Sequence, residues 1–488
     1  MEQMIVSVDQ ESQAGTMCFH IKDEGKPLLI SGEACFFGTG GSPIMISRWS
    51  SVCTVVLAGW FLWGFPCQAK PPYTLAEDVP VGKFFNINAQ VELKGNLTLP
   101  PSKENPKPGN ITISGKSGIR YSERILARDR TGHVERTIRD YEALSLERTI
   151  DNQEQVAGLR AAVSRLVILR HQQMEVPFSP DGPLIWEEID LVRTDVFTPA
   201  LRGLLPTGAV NVGQTWTAQE SAVKELTDFA RINEGKLTCK LERIIPNKDR
   251  VYAMIRFSGT VGGLSDDGLG KHTLNGALYF DMVSKHISYI TMKGQQTLLN
   301  ESGKEVGQMV GHFVLSRQVT TTSPKLSDTA LRGLSLEPNA DNTRLLFDNA
   351  SLGLRFLYSR RWHVASVRGP QLTLEEKGGS GILLTIEPLN RLPTGKQFLQ
   401  ESATYLKKQK AQITHMSTVQ VLQQSPKMEH FVLDVTISEQ KVRMYYFVIQ
   451  QPAGGVIIAA RLTQKDLNNL QREVQQVATS VRVEARKK

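Results

Sequence analysis

The run from Gly109 to Ser117 ends in Gly115-Lys116-Ser117, the glycine, lysine and hydroxyl with which a phosphate loop cradles a nucleotide. Five residues rather than four separate its two glycines, and Asn110 to Ser114 alternates like a strand, so no nest of amides opens a helix. Phosphate chemistry is not expected there. Gly262 to Gly270 sets Asp266 beside Asp267, yet lacks the alternating oxygen ligands and closing glutamate of a calcium loop, and a hairpin turn is expected instead. His133, His171, His272, His286, His312, His363, His415 and His430 each stand singly, with no His-Glu-x-x-His pair and no Gly-x-Ser-x-Gly elbow in the chain. Glu187, Glu188 and Asp190 have the types of an acid–base pair, but a solvated helix face is their expected role. No catalytic residue, cofactor-binding residue or metal ligand is therefore assigned, and the chain reads as a non-enzyme.

The processing site that the residues do mark is Ala69–Lys70. From Met45 the sequence runs through one positive charge at Arg48, an apolar stretch from Val52 to Phe65, and Pro66-Cys67-Gln68-Ala69, which is the layout of a secretory signal peptide. The apolar stretch falls short of the roughly 18 residues that span a bilayer, which points to cleavage rather than an uncleaved anchor. Residues 1–44 lack sustained periodicity and read as a non-native or disordered extension, with Met45 as the expected start. Cys18, Cys35, Cys53 and Cys67 precede the cleavage point, so Cys239 remains without a disulfide partner. Leu237, Cys239 and Leu241 alternate on one strand face, where a buried, inert thiol is expected.

The formal charge of +8 becomes +11 beyond residue 69, with 54 basic and 43 acidic residues. That excess suits contact with an anionic surface. Basic residues are dispersed and not interleaved with aromatics, which excludes nucleic acid as the expected partner. With 40% apolar residues and a mean hydropathy of −0.22, the chain describes a globular protein able to bury more than one core.

Stepping along the chain, residues 70–319 read mostly as strands. Phe85, Ile87, Ala89, Val91 and Leu93 alternate with mainly polar neighbours, the pattern of a half-buried strand, and similar segments recur between Gly, Asp and Asn turns. Leu184 to Val192 follows the turn Ser179 to Pro183 and carries Leu184, Ile185, Glu188, Ile189 and Val192 at helical spacing. Residues 320–342, rich in Ser, Thr, Pro and Asn, read as a linker. In residues 343–488, two helices are expected behind Thr-x-x-acceptor boxes, Thr394 with Gln397 and Thr463 with Asp466, and the second carries an apolar stripe from Leu467 to Val481. Trp216 and Trp362 each close a turn and are expected in the core. Arg360 and Arg361 beside Trp362, and Lys407, Lys408 and Lys410, read as surface charge.

Residues 349–362, Asn349-Ala-Ser-Leu-Gly-Leu-Arg-Phe-Leu-Tyr-Ser-Arg-Arg-Trp362, together with the closing strand and helix from Val456 to Val481, resemble the PsbP/Mog1-like family of α/β/α sandwiches. The family's turn proline is absent, with Ser359 or Arg360 in its place. The resemblance implies a docking module. Ser179 to Leu184, Leu204 to Pro206 and Val210 to Trp216 are similar in style to exported bacterial proteins with a LolA-like curved sheet, which implies an apolar concave face under a helix. The expected fold class is accordingly α+β: a large curved antiparallel sheet with helical cover, then a smaller PsbP/Mog1-like antiparallel sheet flanked by helices. The expected function is that of an exported periplasmic or cell-envelope protein, non-enzymatic, docking an envelope partner. The alternative is a carrier of a lipid or other apolar ligand in the first sheet, and the remote one a hydrolase. A carrier predicts an apolar cavity between sheet and helix, docking predicts an exposed apolar patch, and a hydrolase predicts His and carboxylate groups converging in a cleft.

Overall fold

A computed structural model describes residues 71–99, 109–171, 174–266, 268–437 and 439–484. The extension 1–44, the signal segment 45–69 and the Ala69–Lys70 site lie outside the described residues, as do Asp267 and the first four cysteines.

Among the described residues, twelve strands form the first sheet: β1 (Phe84–Leu99), β2 (Gly109–Arg128), β3 (Val134–Ile150), β4 (Gln153–Gly158), β5 (Arg165–His171), β6 (Met174–Phe178), β7 (Thr215–Thr217), β8 (Arg231–Asn247), β9 (Arg250–Ser265), β10 (Gly268–Asp281), β11 (His286–Leu299) and β12 (Glu305–Thr320). Their order is β6-β5-β3-β2-β1-β12-β11-β10-β9-β8-β7, with β4 also paired to β3, and every pairing is antiparallel. β1 meets β12 in unbroken register from Phe84↔Thr320 to Leu97↔Gly307, so the first and last long strands of this block make the middle of the sheet. Alternation then sorts the side chains: Phe85, Ile87 and Ala89 are buried on the inner face, while Asn86, Asn88 and Gln90 are exposed on the outer one.

Two short helices, α1 (Trp186–Arg193) and α2 (Glu220–Thr227), and the 3₁₀ segment Thr198–Leu204 close one end of that inner face. Leu184, Ile189, Val192, Phe197, Leu201, Leu204, Ala222 and Val223 are buried in one cluster with Phe85, Ile119, Tyr121 and Leu144. Residues 321–342 run beside the sheet, where Pro324–Leu326 and α3 (Asp328–Leu331) bury Leu326 and Leu331 against Ile138, Val167 and Phe178.

The rest of the chain makes two sheets. β13 (Leu345–Asn349), β14 (Leu354–Tyr358) and β23 (Arg482–Val483) form a three-stranded one. An eight-stranded sheet is built from β15 (Trp362–Arg368), β16 (Gln371–Glu376), β17 (Gly381–Glu387), β18 (Gln412–Met416), β19 (Gln420–Gln424), β20 (Lys427–Ile437), β21 (Gln440–Gln451) and β22 (Gly454–Thr463), ordered β15-β16-β17-β22-β21-β20-β18 with β19 also on β20. α4 (Gly395–Lys408) and α5 (Leu467–Ser480) pack on these strands. The two halves are in contact: Leu184 bridges Leu345, Leu346 donates its amide hydrogen to the Leu184 carbonyl at 2.8 Å, and the Arg360 guanidinium donates to the carbonyls of Pro177 and Thr343.

The expected α+β class is overturned. Strands make up 57% and helices 16%, so the fold is mostly β and lacks the expected helical cover over its first sheet. The physical reason is strand length. β1, β2, β3, β8, β9 and β12 run for 16 to 20 residues, and the eight-residue α1 and α2, at less than half the rise per residue of a strand, are too short to cover more than part of a face of that length. Their amphipathic sequence was legible; the small share of the sheet that they reach was not.

Candidate functional site

Register places the inner face of the first sheet in rows that run across the strands. Leu144, Ile119, Ala89, Leu315, Ile290 and Leu278 form one such row, and all are buried. Farther along the same strands the rows change character. Ile150, Ile113, Gly95 and Met309 form one row, and Ile111, Leu97, Gly307 and Leu298 another, in which the aliphatic side chains other than Leu97 are only half-buried. Between the two zones lie Arg148, Gly115, Leu93, Gly311 and Gly294, three of them glycines in neighbouring strands. A Cβ at Gly115 would meet ordinary contacts of 3.5 Å, so neither its φ nor a backbone clash demands glycine there. Glycine within a strand weakens it and often marks where something approaches closely.

A groove of about 910 Å³ lies at these glycines, lined by Leu93, Gly115, Arg148, Gly294 and Gly311 together with residues of the outer face. Lys116, Glu92, His312 and Lys293 form one bank by register, and Ser114, Lys94, Val310 and Gln295 the other. Lys116 and Glu92 stand 3.7 Å apart and are both largely exposed, so their pairing is worth well under about 1 kcal/mol. The groove is open to solvent and exposes apolar as well as polar surface, and on its bank the Thr291 hydroxyl lies 3.2 Å from His312 Nε2.

At the closed end the inner face is charged. The side chains of Arg139 on β3, Glu123 on β2 and Asp195 after α1 are wholly buried. Arg139 donates to Glu123 Oε1 at 3.1 Å, to Asp195 Oδ2 at 2.8 Å and to the Tyr141 hydroxyl at 3.2 Å, while its guanidinium lies 4.7 Å from the centre of the Tyr121 ring. Tyr141 donates in turn to Asp195 Oδ2 at 3.1 Å, and Thr198 to Glu123 Oε2 at 3.3 Å. Burial pushes the Asp195 carboxyl up to about 6 against the opposing pull of Arg139. Beside this set, Arg170 on β5 pairs with Glu225 of α2, and Glu225 also accepts the Phe197 amide at 2.6 Å. A second buried pair, Arg317 with Glu77 at 2.8 Å, lies against the Phe85 ring, with His286 Nε2 3.1 Å from the Arg317 carbonyl. Burial, then Arg317, holds the His286 imidazole down at about 4.

The residues weighed from sequence fall elsewhere. Gly115, Lys116 and Ser117 lie in the middle of β2, and Asp266 sits in the β9–β10 hairpin. Among the described residues no group of His, Cys, Asp and Glu is arranged to hold a metal ion. Cys239 is fully buried between Leu237 and Leu241, and burial pushes its thiol up to about 12. Trp362 is fully buried with its Nε1 donating to Glu473 at 2.8 Å, and Trp216 donates to the Leu204 carbonyl. Arg360 is spent on two carbonyls and Arg361 on Asp466 and Glu473, so neither is free to grip an anion.

Glu188 departs from its expected place on a solvated helix face. Its side chain is 1% exposed, accepts from Arg160 Nη2 at 2.7 Å and Nε at 2.8 Å, and takes the Ile185 amide hydrogen at 3.0 Å. The stripe of Leu184, Ile185, Ile189 and Val192 already contained Glu188, which was the signal for its burial. Nothing local announced Arg139, Glu123 or Asp195, whose partners meet only through strand pairing.

No protein-family model matches the chain, and no curated protein matches it. Among solved structures, it is similar to cyanobacterial PsbP from Synechocystis sp. PCC 6803 at 12% identity, over 29% of this chain and 92% of that one, with a TM-score of 0.24. It is similar to the Ran-binding protein Mog1p of Saccharomyces cerevisiae at 10% identity, over 29% of this chain and 95% of that one, also at 0.24. Lipovitellin matches over 68% of this chain but 31% of its own, at 11% identity and a TM-score of 0.29. The PsbP and Mog1p matches extend over less than a third of this chain, and the LolA-like resemblance is not shown. No described helix is long and apolar enough to cross a membrane.

Proposed function

We propose that this is an exported, non-enzymatic binding protein of the cell envelope whose first sheet holds an apolar chain along the open end of its inner face. The observation that carries the reading is the change along one face from buried rows to the half-buried Leu93, Ile111, Ile113, Ile150, Leu298 and Met309. Each half-buried aliphatic that a ligand covered would contribute roughly 1 kcal/mol at about 25 cal/mol per Å². The space between α1 and the sheet is not the binding place, because Leu184, Ile189 and Val192 already fill it.

Native mass spectrometry with lipid extraction on protein purified without harsh detergent tests this. A stoichiometric acyl-chain ligand is expected, lost when Ile113→Lys and Met309→Lys are combined and retained in Val364→Lys on β15. A wild-type protein that stays bare after incubation with fatty acid and phospholipid vesicles overturns it.

A second reading, docking of a partner protein, has its own observation. Met416, Val421 and Leu422 are exposed on β18 and β19, which line a free edge of the eight-stranded sheet. If that edge binds, Val421→Lys weakens the partner while leaving any lipid in place.

A further inference from the structure

Beneath α1, α2 and the 3₁₀ segment, six charged side chains meet that no ligand reading uses. The sheet supplies Glu123, Arg139, Arg170 and Glu175, the last paired in register with Arg170. The closing segment, residues 186–227, supplies Asp195 and Glu225 together with the Phe197 amide and the Thr198 hydroxyl. Four carboxylates thus face two guanidiniums. Such an excess of negative charge in an enclosed place is costly, and proton uptake is the least expensive relief. The hydrogen bonding is also incomplete: two carboxylate oxygens, Glu175 Oε1 and Asp195 Oδ1, and two guanidinium nitrogens, Arg139 Nη2 and Arg170 Nε, are enclosed without protein partners. An ionised Glu175 is repelled by the charges of Glu225 and Asp195, whereas a protonated one brings a donor into a cluster that holds four carboxyl groups.

We infer that residues 186–227 are fastened to the sheet by a proton-dependent latch, closed when Glu175 is protonated and loosened when Glu175 ionises. The groups that face Glu175 are Arg139 and Tyr141 from β3, Arg170 from β5, Asp195 from the turn after α1 and Glu225 from α2. The two arginines favour its charged form; Asp195 and Glu225 oppose it. Burial, the largest influence, and Glu225 outweigh the arginines and push the carboxyl up to about 7. A carboxyl that opening would return to an ordinary value near about 4.3 binds its proton more tightly in the closed form. Closure is therefore favoured below that value, weakens as pH rises toward 7, and is constant above it. Asp195, raised to about 6, acts in the same direction. This latch stands whether or not the open end of the sheet holds an apolar chain.

Hydrogen exchange of the full chain between pH 5 and pH 8, corrected for the intrinsic base catalysis of exchange, reads the latch directly. Peptides within residues 186–227 are expected to open more at pH 8 than at pH 5 by at least roughly tenfold, while β21 and β22 stay level. Glu175→Gln, which keeps the shape and removes the proton equilibrium of Glu175, is expected to lose most of that dependence, leaving the smaller part that Asp195 contributes. A wild-type segment whose opening does not vary with pH overturns the inference, as does a Glu175→Gln protein that opens with pH like the wild type. Should Glu175→Gln fail to fold, the wild-type profile alone decides.

Discussion

In the first sheet, Arg139 with Glu123 and Asp195, and Arg317 with Glu77, are enclosed as ion pairs on the same face as Phe85 and Ile119. The eight-stranded sheet instead encloses Leu372, Leu374, Ile382, Leu384, Phe447 and Ile458, and the buried polar side chains described beyond residue 343 are the uncharged Ser380, Ser402 and Gln451. Both sheets are antiparallel and both bury an alternating face. The difference lies in what each makes stability depend on. An apolar core is indifferent to pH, whereas a buried ion pair adds little net stability when intact and costs much when one partner is removed. The first sheet has tied its closed end to charge balance; the second has not.

The largest expected effect breaks that comparison at its centre. Arg139→Met leaves Glu123 and Asp195 buried without their counter-charge, and a loss of about 3–5 kcal/mol is expected in denaturant unfolding at neutral pH. The loss shrinks as pH falls through the raised Asp195 value and that carboxyl protonates. In the second sheet Leu384→Ala opens a cavity among Leu374, Ile382 and Ile458, for about 2–4 kcal/mol, and its cost is the same at pH 5 and pH 8. If Leu384→Ala proves as sensitive to pH as Arg139→Met, the contrast between the sheets is wrong.

A smaller effect sharpens the contrast from the acid side. His286 is buried neutral, with its value lowered to about 4, so its contribution to folding is complete above an ordinary histidine value of about 6.5 and is lost as pH falls through 4. This runs opposite to Glu175, whose raised value favours the closed form at low pH. His286→Gln keeps a donor for the Arg317 carbonyl and removes the titration. It is expected to flatten the acid limb of the stability profile by roughly one proton, leaving the alkaline side unchanged.

What the sequence made legible follows the range of the interactions. Phe85 to Leu93 declared a strand and its inner face because a period of two is written in adjacent residues. Cys239 was legible as core for the same reason, and Trp362 because it closes a turn. The ion pairs were not, because Arg139 finds Glu123 16 residues away through the pairing of β2 with β3, and Asp195 56 residues away through the packing of the segment after α1 on the sheet. Glu188 lies between these cases. Its place in an apolar stripe was visible, but its partner Arg160, 28 residues upstream, was not.

The two capping boxes show the same limit at the scale of one turn, and they supply the smallest prediction. Thr394 caps α4 as its sequence implies: its hydroxyl accepts the Gln397 amide hydrogen at 3.3 Å, and the Gln397 side chain accepts from the Thr394 amide at 2.9 Å. Thr463 has the same spacing to Asp466 yet remains in β22, where its amide donates to Ser380 at 3.1 Å, and α5 begins only after Asp466, whose φ of 62° breaks the chain away from the strand. The pull of the cross-strand partner outweighs the local box, since β22 is already fixed by β17 and β21 on either side. Thr394→Ala is therefore expected to cost about 1 kcal/mol and to fray the first turn of α4 in hydrogen exchange. Thr463→Val loses a contact to Ser380 worth about 0.5–1 kcal/mol and leaves the first turn of α5 as protected as before. Fraying of α5 in Thr463→Val would mean that the box, and not the strand, sets where that helix starts.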